Sequence, residues 1–321
     1  MASLFHAARD ALSCAISGAL MVGLLLVHSK ELRADPVMTT SSMYGAFGPE
    51  GQRMREQLWL LPSGDAAVAL RATVFRPAGA MTERHPLVVV NHGTSESNRM
   101  SVSMPVYYWL SRWFVDRGYA VVLPQRRGHG ATGGTLVEAV GDCANPNHYR
   151  SGIIAAQDVG AAVDYMVRQP FVDPARVLVV GISTGGWASL ALASQRPDLM
   201  TAVVNIAGGR GGHAWGRKNS VCGANELVKA AHDYASTARA PTLWLYAKND
   251  SYFGPALAAQ MAAAWKDGGG NVEYDPLPSY GEDGHDVVDD RAGWDVWGKS
   301  LDHFLAANFG VAKEPQVAQG P

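Results

Sequence analysis

RVLVVGISTGGWASLALA, residues 176–193, decides how the rest of this 321-residue chain is read. Val177 to Val180 and Ile182 form a short apolar, β-branched run, the composition of a strand buried on both faces of a parallel sheet. Gly181-Ile182-Ser183-Thr184-Gly185 breaks the run, and the Ala- and Leu-rich stretch Trp187 to Leu192 predicts a helix. A serine at a strand-to-helix junction sits on a tight bend, and small flanking residues let strand and helix approach closely. This is the pattern of a nucleophile elbow. A plain βα turn can share the glycines, so the flanking strand and helix select the functional reading.

Similar alternation extends on both sides. Trp59 to Leu61 and Val68 to Phe75 predict antiparallel edge strands joined by the turn Pro62-Ser63-Gly64-Asp65. Leu87 to Val90 and Ala120 to Leu123 predict strands, each followed by a helical pattern, Val106 to Arg117 and Ile153 to Arg168. Beyond the elbow come strand Ala202 to Ile206, helix Glu226 to Ala238, strand Thr242 to Tyr246, helix Pro255 to Trp265, strand Val272 to Leu277 and helix Trp294 to Ala307. Such alternation predicts an α/β fold with a mostly parallel, doubly wound sheet and helices on both faces. Gly208 to Ala224 is too short to hold a large lid domain.

The composition, 47% hydrophobic and 17% charged, suits one large soluble domain, and a net charge of -2 offers no field for nucleic acid. Ala11 to Val27 is an apolar segment preceded by Arg9 and followed by polar residues, as in a signal peptide. Residues 1–34 are therefore expected to be a signal peptide or an uncleaved anchor, and the location periplasmic or secreted. Residues 35–57 read as a leader, 58–310 as the catalytic domain and 311–321 as a flexible tail.

A serine hydroxyl becomes nucleophilic when a base takes its proton, and the base needs an acid to fix its tautomer. In a sheet of this kind these groups gather at the carboxyl ends of strands. Asp250 follows the strand Thr242 to Tyr246 and is the expected acid, with Asp283 and Asp286 as runners-up. His285, in the polar loop Gly281 to Asp286 after the last strand, is the expected base, and His213 is its competitor. The backbone N–H of Thr184, following the serine, and that of Thr94, in Asn91-His92-Gly93-Thr94, are the expected oxyanion donors. His92 reads as a structural residue under that loop. Gly128-His129-Gly130-Ala131-Thr132-Gly133 has the G-x-G-x-x-G spacing but does not open a helix, so it reads as a loop beside the site and not as a dinucleotide site. No cofactor or metal is expected.

With these motifs together, the chain from Leu58 to Phe309 resembles the α/β-hydrolase family, and within it the dienelactone-hydrolase-like and peptidase-like branch. The resemblance implies an eight-stranded fold with Ser183 as nucleophile, Asp250 as acid and His285 as base. Dienelactone hydrolases themselves carry cysteine where Ser183 stands, a departure that bears on their lactone substrate. The expected activity is hydrolysis of small carboxylic esters through an acyl-enzyme, the alternatives being a peptidase or amidase of the same fold and a silent ligand-binding homologue. Arg210, His213 and Trp215 lie in the Gly-rich loop after Ala202 to Ile206, where they could meet substrate. Cys143 and Cys222, an even pair once the leader with Cys14 is removed, are expected to be bonded across two loops that overhang Ser183.

Overall fold

The computed structural model describes residues 43–80, 82–94, 99–101 and 104–310. The expected signal segment 1–34, the leader up to residue 42 and the tail 311–321 lie outside the described residues. The strands are β1 (Gly45–Phe47), β2 (Gln57–Pro62), β3 (Ala69–Phe75), β4 (His85–Asn91), β5 (Ala120–Pro124), β6 (Val172–Ile182), β7 (Ala202–Ile206), β8 (Thr242–Ala247) and β9 (Val272–Leu277). The α-helices are α1 (Tyr108–Val115), α2 (His148–Met166), α3 (Thr184–Gln195), α4 (Ala224–Ala235), α5 (Pro255–Asp267) and α6 (Trp294–Phe309).

All nine strands form one sheet, in the order β1-β2-β3-β5-β4-β6-β7-β8-β9. Pairing is antiparallel from β1 to β5 along that order and parallel from β5 to β9. Where the resemblance implies eight strands, the ninth is β1, inside the stretch read as leader. Its three residues pair with Leu58 to Leu60, and so short a segment carries no legible alternation. Residues 45–47, and Gln57 where β2 already begins, are thus strand residues within the stretch read as leader.

Successive residues of a strand point to opposite faces, and each face here has its own helices. Val177 and Val179 of β6 pack with Trp187 and Leu190 of α3, Val159 of α2, Leu227 of α4 and Trp265 of α5. Leu178, Val180 and Ile182 pack on the other side with Trp113 of α1 and Trp297, Leu301 and Phe304 of α6. Helix α2 begins at His148, five residues before the expected Ile153, because the Asn147 side chain caps it by accepting from Arg150 N–H at 2.9 Å. Its first turn is polar, so apolar periodicity could not reveal it. The double-sided core fixes β4, β6, β7, β8 and β9 in register, and their carboxyl ends carry the residues singled out above.

Candidate active site

Ser183 follows β6 with φ 55° and ψ -125°, a left-handed conformation that a side-chain-bearing residue adopts only when its surroundings hold it there. Its N–H donates to Ile206 O at 3.0 Å, while its carbonyl accepts from Trp187 N–H and Gly209 N–H, each at 3.1 Å. Glycine is required close by. A Cβ on Gly185 would stand 2.0 Å from Asn91 O, so only hydrogen lets α3 start against the end of β4. A Cβ on Gly93 would stand 3.0 Å from Ser183 Cβ, which places the loop after β4 directly against the serine side chain.

Asp250 stands three residues past β8 and is 1% exposed. Its Oδ1 accepts from Tyr252 N–H at 2.8 Å and Phe253 N–H at 2.9 Å. His285 Nδ1 lies 3.2 and 3.1 Å from the two carboxylate oxygens, so Nδ1 carries the proton and Nε2 is left as the basic nitrogen. Among the described residues no hydrogen bond joins the Ser183 hydroxyl to His285; such a contact often tightens only in the substrate complex.

The runner-up acids have other places. Asp283 Oδ1 accepts from Ser251 N–H at 3.0 Å and from His285 N–H at 3.1 Å, so it fastens the histidine loop by its backbone. Asp286 is held above the usual carboxylate range by burial and makes no hydrogen bond to the imidazole among the described residues. His213, the competing base, has Nε2 2.7 Å from Ser251 Oγ and stacks on Tyr252 at 3.5 Å between ring centroids. Tyr252 in turn stacks on His285 at 4.2 Å.

Thr94 and Thr184 meet through their side chains, with Thr184 Oγ1 donating to Thr94 Oγ1 at 2.9 Å. Behind them is a buried cluster. Arg126, at the end of β5, donates through Nε to Glu138 at 2.7 Å, through Nη1 to Asn91 Oδ1 and His92 O, and through Nη2 to Thr94 Oγ1 and Thr184 Oγ1 at 3.1 and 3.2 Å. His92 Nε2 accepts from Arg126 N–H at 3.0 Å, so its proton is on Nδ1. Burial, then Arg126, holds His92 well below the ordinary histidine range and His129 down to about 4. Burial alone would raise Glu138, but Arg126 and Arg210 overcome it and hold its carboxyl well below the ordinary range.

Arg210, in the expected substrate loop, turns to this cluster: its guanidinium donates to Glu138 Oε1 at 3.2 Å and Glu138 O at 2.9 Å. His213 faces Ser251 and Tyr252, and Trp215 is 72% exposed. The segment Gly128 to Gly133 is a loop closed by a His129 to Gly133 bridge, and it brings His129 Nε2 within 2.8 Å of Thr94 Oγ1. A cavity of about 480 Å³ opens beside Gly93, lined among others by Met104, Tyr107, Tyr108, Gln125 and Asp289. Tyr107 Oη accepts from Gly93 N–H at 3.2 Å. Cys143 and Cys222 are bonded, with Cα atoms 4.8 Å apart.

Sequence reasoning passed over Arg126, Glu138, Tyr107 and Tyr252. Arg126 could have been found as a cation directly behind an apolar strand, whereas nothing in the sequence singles out the other three.

Residues 105–210 match the prolyl oligopeptidase family. Over 234 residues, 65% of this chain and 31% of the relative, the chain is 25% identical to dipeptidyl-peptidase 5 of Porphyromonas gingivalis. Over 136 residues, 41% of this chain and 30% of the relative, it is 27% identical to poly(3-hydroxyalkanoate) depolymerase C of Paucimonas lemoignei. The matched regions span about a third of the length of these curated relatives. Among solved structures, the acylaminoacyl peptidase of Pyrococcus horikoshii superposes with a TM-score of 0.59 at 18% identity, covering 85% of this chain and 43% of that one. At that identity the likeness is one of fold.

Proposed function

From the premise that this chain has the α/β-hydrolase fold, we propose that it is a serine hydrolase working through an acyl-enzyme, with peptide or amide bonds as its first substrate class. The observation that carries the chemistry is the strained Ser183 at the same sheet edge as the Asp250 to His285 pair. Ser183 Oγ attacks the carbonyl carbon while His285 Nε2 takes its proton, and the carbonyl oxygen becomes an oxyanion held by the N–H groups of Thr184 and Thr94. On collapse, the bond to the leaving group breaks and His285 returns the proton to the departing nitrogen or oxygen. Water, deprotonated by the same histidine, then releases the acid and restores Ser183. Asp250 keeps the imidazole in the tautomer that makes this possible.

The peptide reading is supported by the match of residues 105–210 and by the two peptidases named above. Carboxylic esters are the second reading, favoured by the depolymerase of a polyester among the relatives and by the short Gly208 to Ala224 segment. We further propose export to an oxidising compartment, where a bond such as Cys143 to Cys222 persists. Activated esters are turned over by peptidases and esterases alike, so the test pairs substrates of one acyl group: N-acetyl-phenylalanine methyl ester against the corresponding anilide, and likewise for alanine. Measurable cleavage of the anilides beside the faster esters supports a peptidase; turnover of the esters without measurable amide cleavage rejects it in favour of an esterase.

A further inference from the structure

We infer that Arg126 is the positioning residue of the oxyanion hole, holding its two donors in register and leaving uncompensated positive charge behind the oxyanion. The inference rests on the acyl-enzyme reading above. Thr94 and Thr184 follow different strands, β4 and β6, yet their N–H groups must converge on one oxygen, where a small misplacement is costly in rate. Two sets of contacts lock them together. One is the Thr184 to Thr94 hydroxyl bond at 2.9 Å, and the other is Arg126 Nη2, which reaches both hydroxyl oxygens at 3.1 and 3.2 Å. Nη1 of the same guanidinium holds Asn91 Oδ1 and His92 O, at the end of the strand that delivers Thr94.

The shorter contacts place the protons of this cluster, the Thr94 hydroxyl lying 2.8 Å from His129 Nε2 against 3.4 Å from Glu138 Oε1. His129 Nδ1 faces the carbonyls of Arg126 and Arg127, so it carries the hydrogen and Nε2 accepts from the Thr94 hydroxyl at 2.8 Å. Thr94 Oγ1 is then left to accept from Thr184 and from Arg126 Nη2; of the two Nη2 hydrogens one goes to Glu138 Oε1 at 3.2 Å and the other is shared between Thr94 and Thr184. Lysine, a point charge with three donors, cannot span acceptors on Asn91, His92, Thr94, Thr184 and Glu138.

The charge does not balance. Arg126 and Arg210 flank the single carboxylate of Glu138, and the Arg126 and Glu138 side chains are only 0% and 2% exposed. His92 and His129 add none, since burial keeps them neutral. Two guanidinium groups against one carboxylate therefore leave one positive charge in excess among largely buried side chains, a cost to the resting protein. It is offset when the carbonyl oxygen becomes negative at the N–H groups of the two threonines whose hydroxyls Arg126 touches, which is the difference between ground and transition state that accelerates a reaction.

The test compares Arg126→Lys and Thr184→Val with the parent chain on the best substrate of the panel above. It also measures the affinity of phenylboronic acid, a tetrahedral mimic that bonds to Ser183, and of benzoate, a planar carboxylate. For both variants kcat is expected to fall about 10- to 100-fold with KM within about threefold, boronate affinity falling by a similar factor and benzoate affinity unchanged. A merely structural loss would weaken both ligands together. That result, or a folded Thr184→Val with kcat and boronate affinity within twofold of the parent, would overturn the inference. Thr184→Val keeps the buried guanidinium and carries the test alone if Arg126→Lys does not fold. If a fluorophosphonate fails to label Ser183 in the parent, the acyl-enzyme reading fails first, and the inference with it.

Discussion

At the scale of single residues, a left-handed serine costs on the order of 1–3 kcal/mol, and it persists because three backbone hydrogen bonds and two adjoining strand ends leave it no alternative. Ser183→Ala keeps that backbone and removes only the nucleophile. Turnover should fall by several orders of magnitude with the melting temperature unchanged, and Ser183→Ala/His285→Ala should be little worse than either single change, because such groups act as a unit. Steady-state kinetics on the three variants checks this; substantial activity in Ser183→Ala would point to another nucleophile. The Tyr252 ring, sandwiched between His213 and His285, makes a subtler contribution. Aromatic pairs are worth about 0.5–1.5 kcal/mol, so Tyr252→Leu should lower kcat/KM about 3- to 10-fold while Tyr252→Phe preserves it. Equal losses in both variants would reject the stacking role in favour of the hydroxyl.

At the scale of elements, the strands were legible wherever they are buried on both faces, since β6 from Val177 onward, β7 and β8 read as apolar runs bounded by turns. The pairing of Asp250 with His285 was legible because a triad in this architecture has a fixed chain order, which picks out the two residues without reference to space. What could not be read was assembled from loops. Glu138 is an ordinary-looking acid shortly after a glycine-rich stretch, and its burial between Arg126 and Arg210 depends on the loop after β5 folding against the segment after β7. Arg210 is the other half of this pairing, a polar side chain in a Gly-rich loop that faces inward. The buried loop cluster also sets an acid limit. His129, brought down to about 4, and His92, also held well below the ordinary range by burial, are neutral when folded but take up protons near 6.5 when unfolded. Their folded values lie below the unfolded ones, so the stability they confer is complete above about pH 6.5 and is lost as the pH falls toward 4; Glu138, also depressed, adds a loss from about pH 5 downward. The melting temperature should therefore drop between pH 7 and pH 4.5, and less so in His129→Gln. A flat profile across that range would contradict these protonation states.

At the scale of the whole molecule, one bond joins two loops whose side chains form the back of the site. Cys143 lies in the loop that carries Glu138, and Cys222 in the segment that carries Arg210 and His213, so the bridge holds together the two halves of the Arg126, Glu138 and Arg210 cluster. Cys222 is tied in further by its backbone, with its N–H on Gly211 O at 2.8 Å and its carbonyl accepting from His148 Nε2, the first residue of α2, at 2.7 Å. Closing a ring across a sequence separation of 79 should stabilise the fold by about 4 kcal/mol on the chain-entropy view. For a domain of this size that corresponds to a fall of about 10 °C in melting temperature on reduction. The core on both sheet faces does not depend on the bridge, so the reduced protein should stay folded at 25 °C while kcat drops as Glu138 and Arg210 separate. Thiol titration of the denatured 321-residue chain, which has three cysteines, decides the starting point: one free thiol from Cys14 is expected before reduction and three after. Three before reduction would rule the bridge out. A reduced protein with unchanged kcat and melting temperature would show that the loops are held by their side-chain contacts alone.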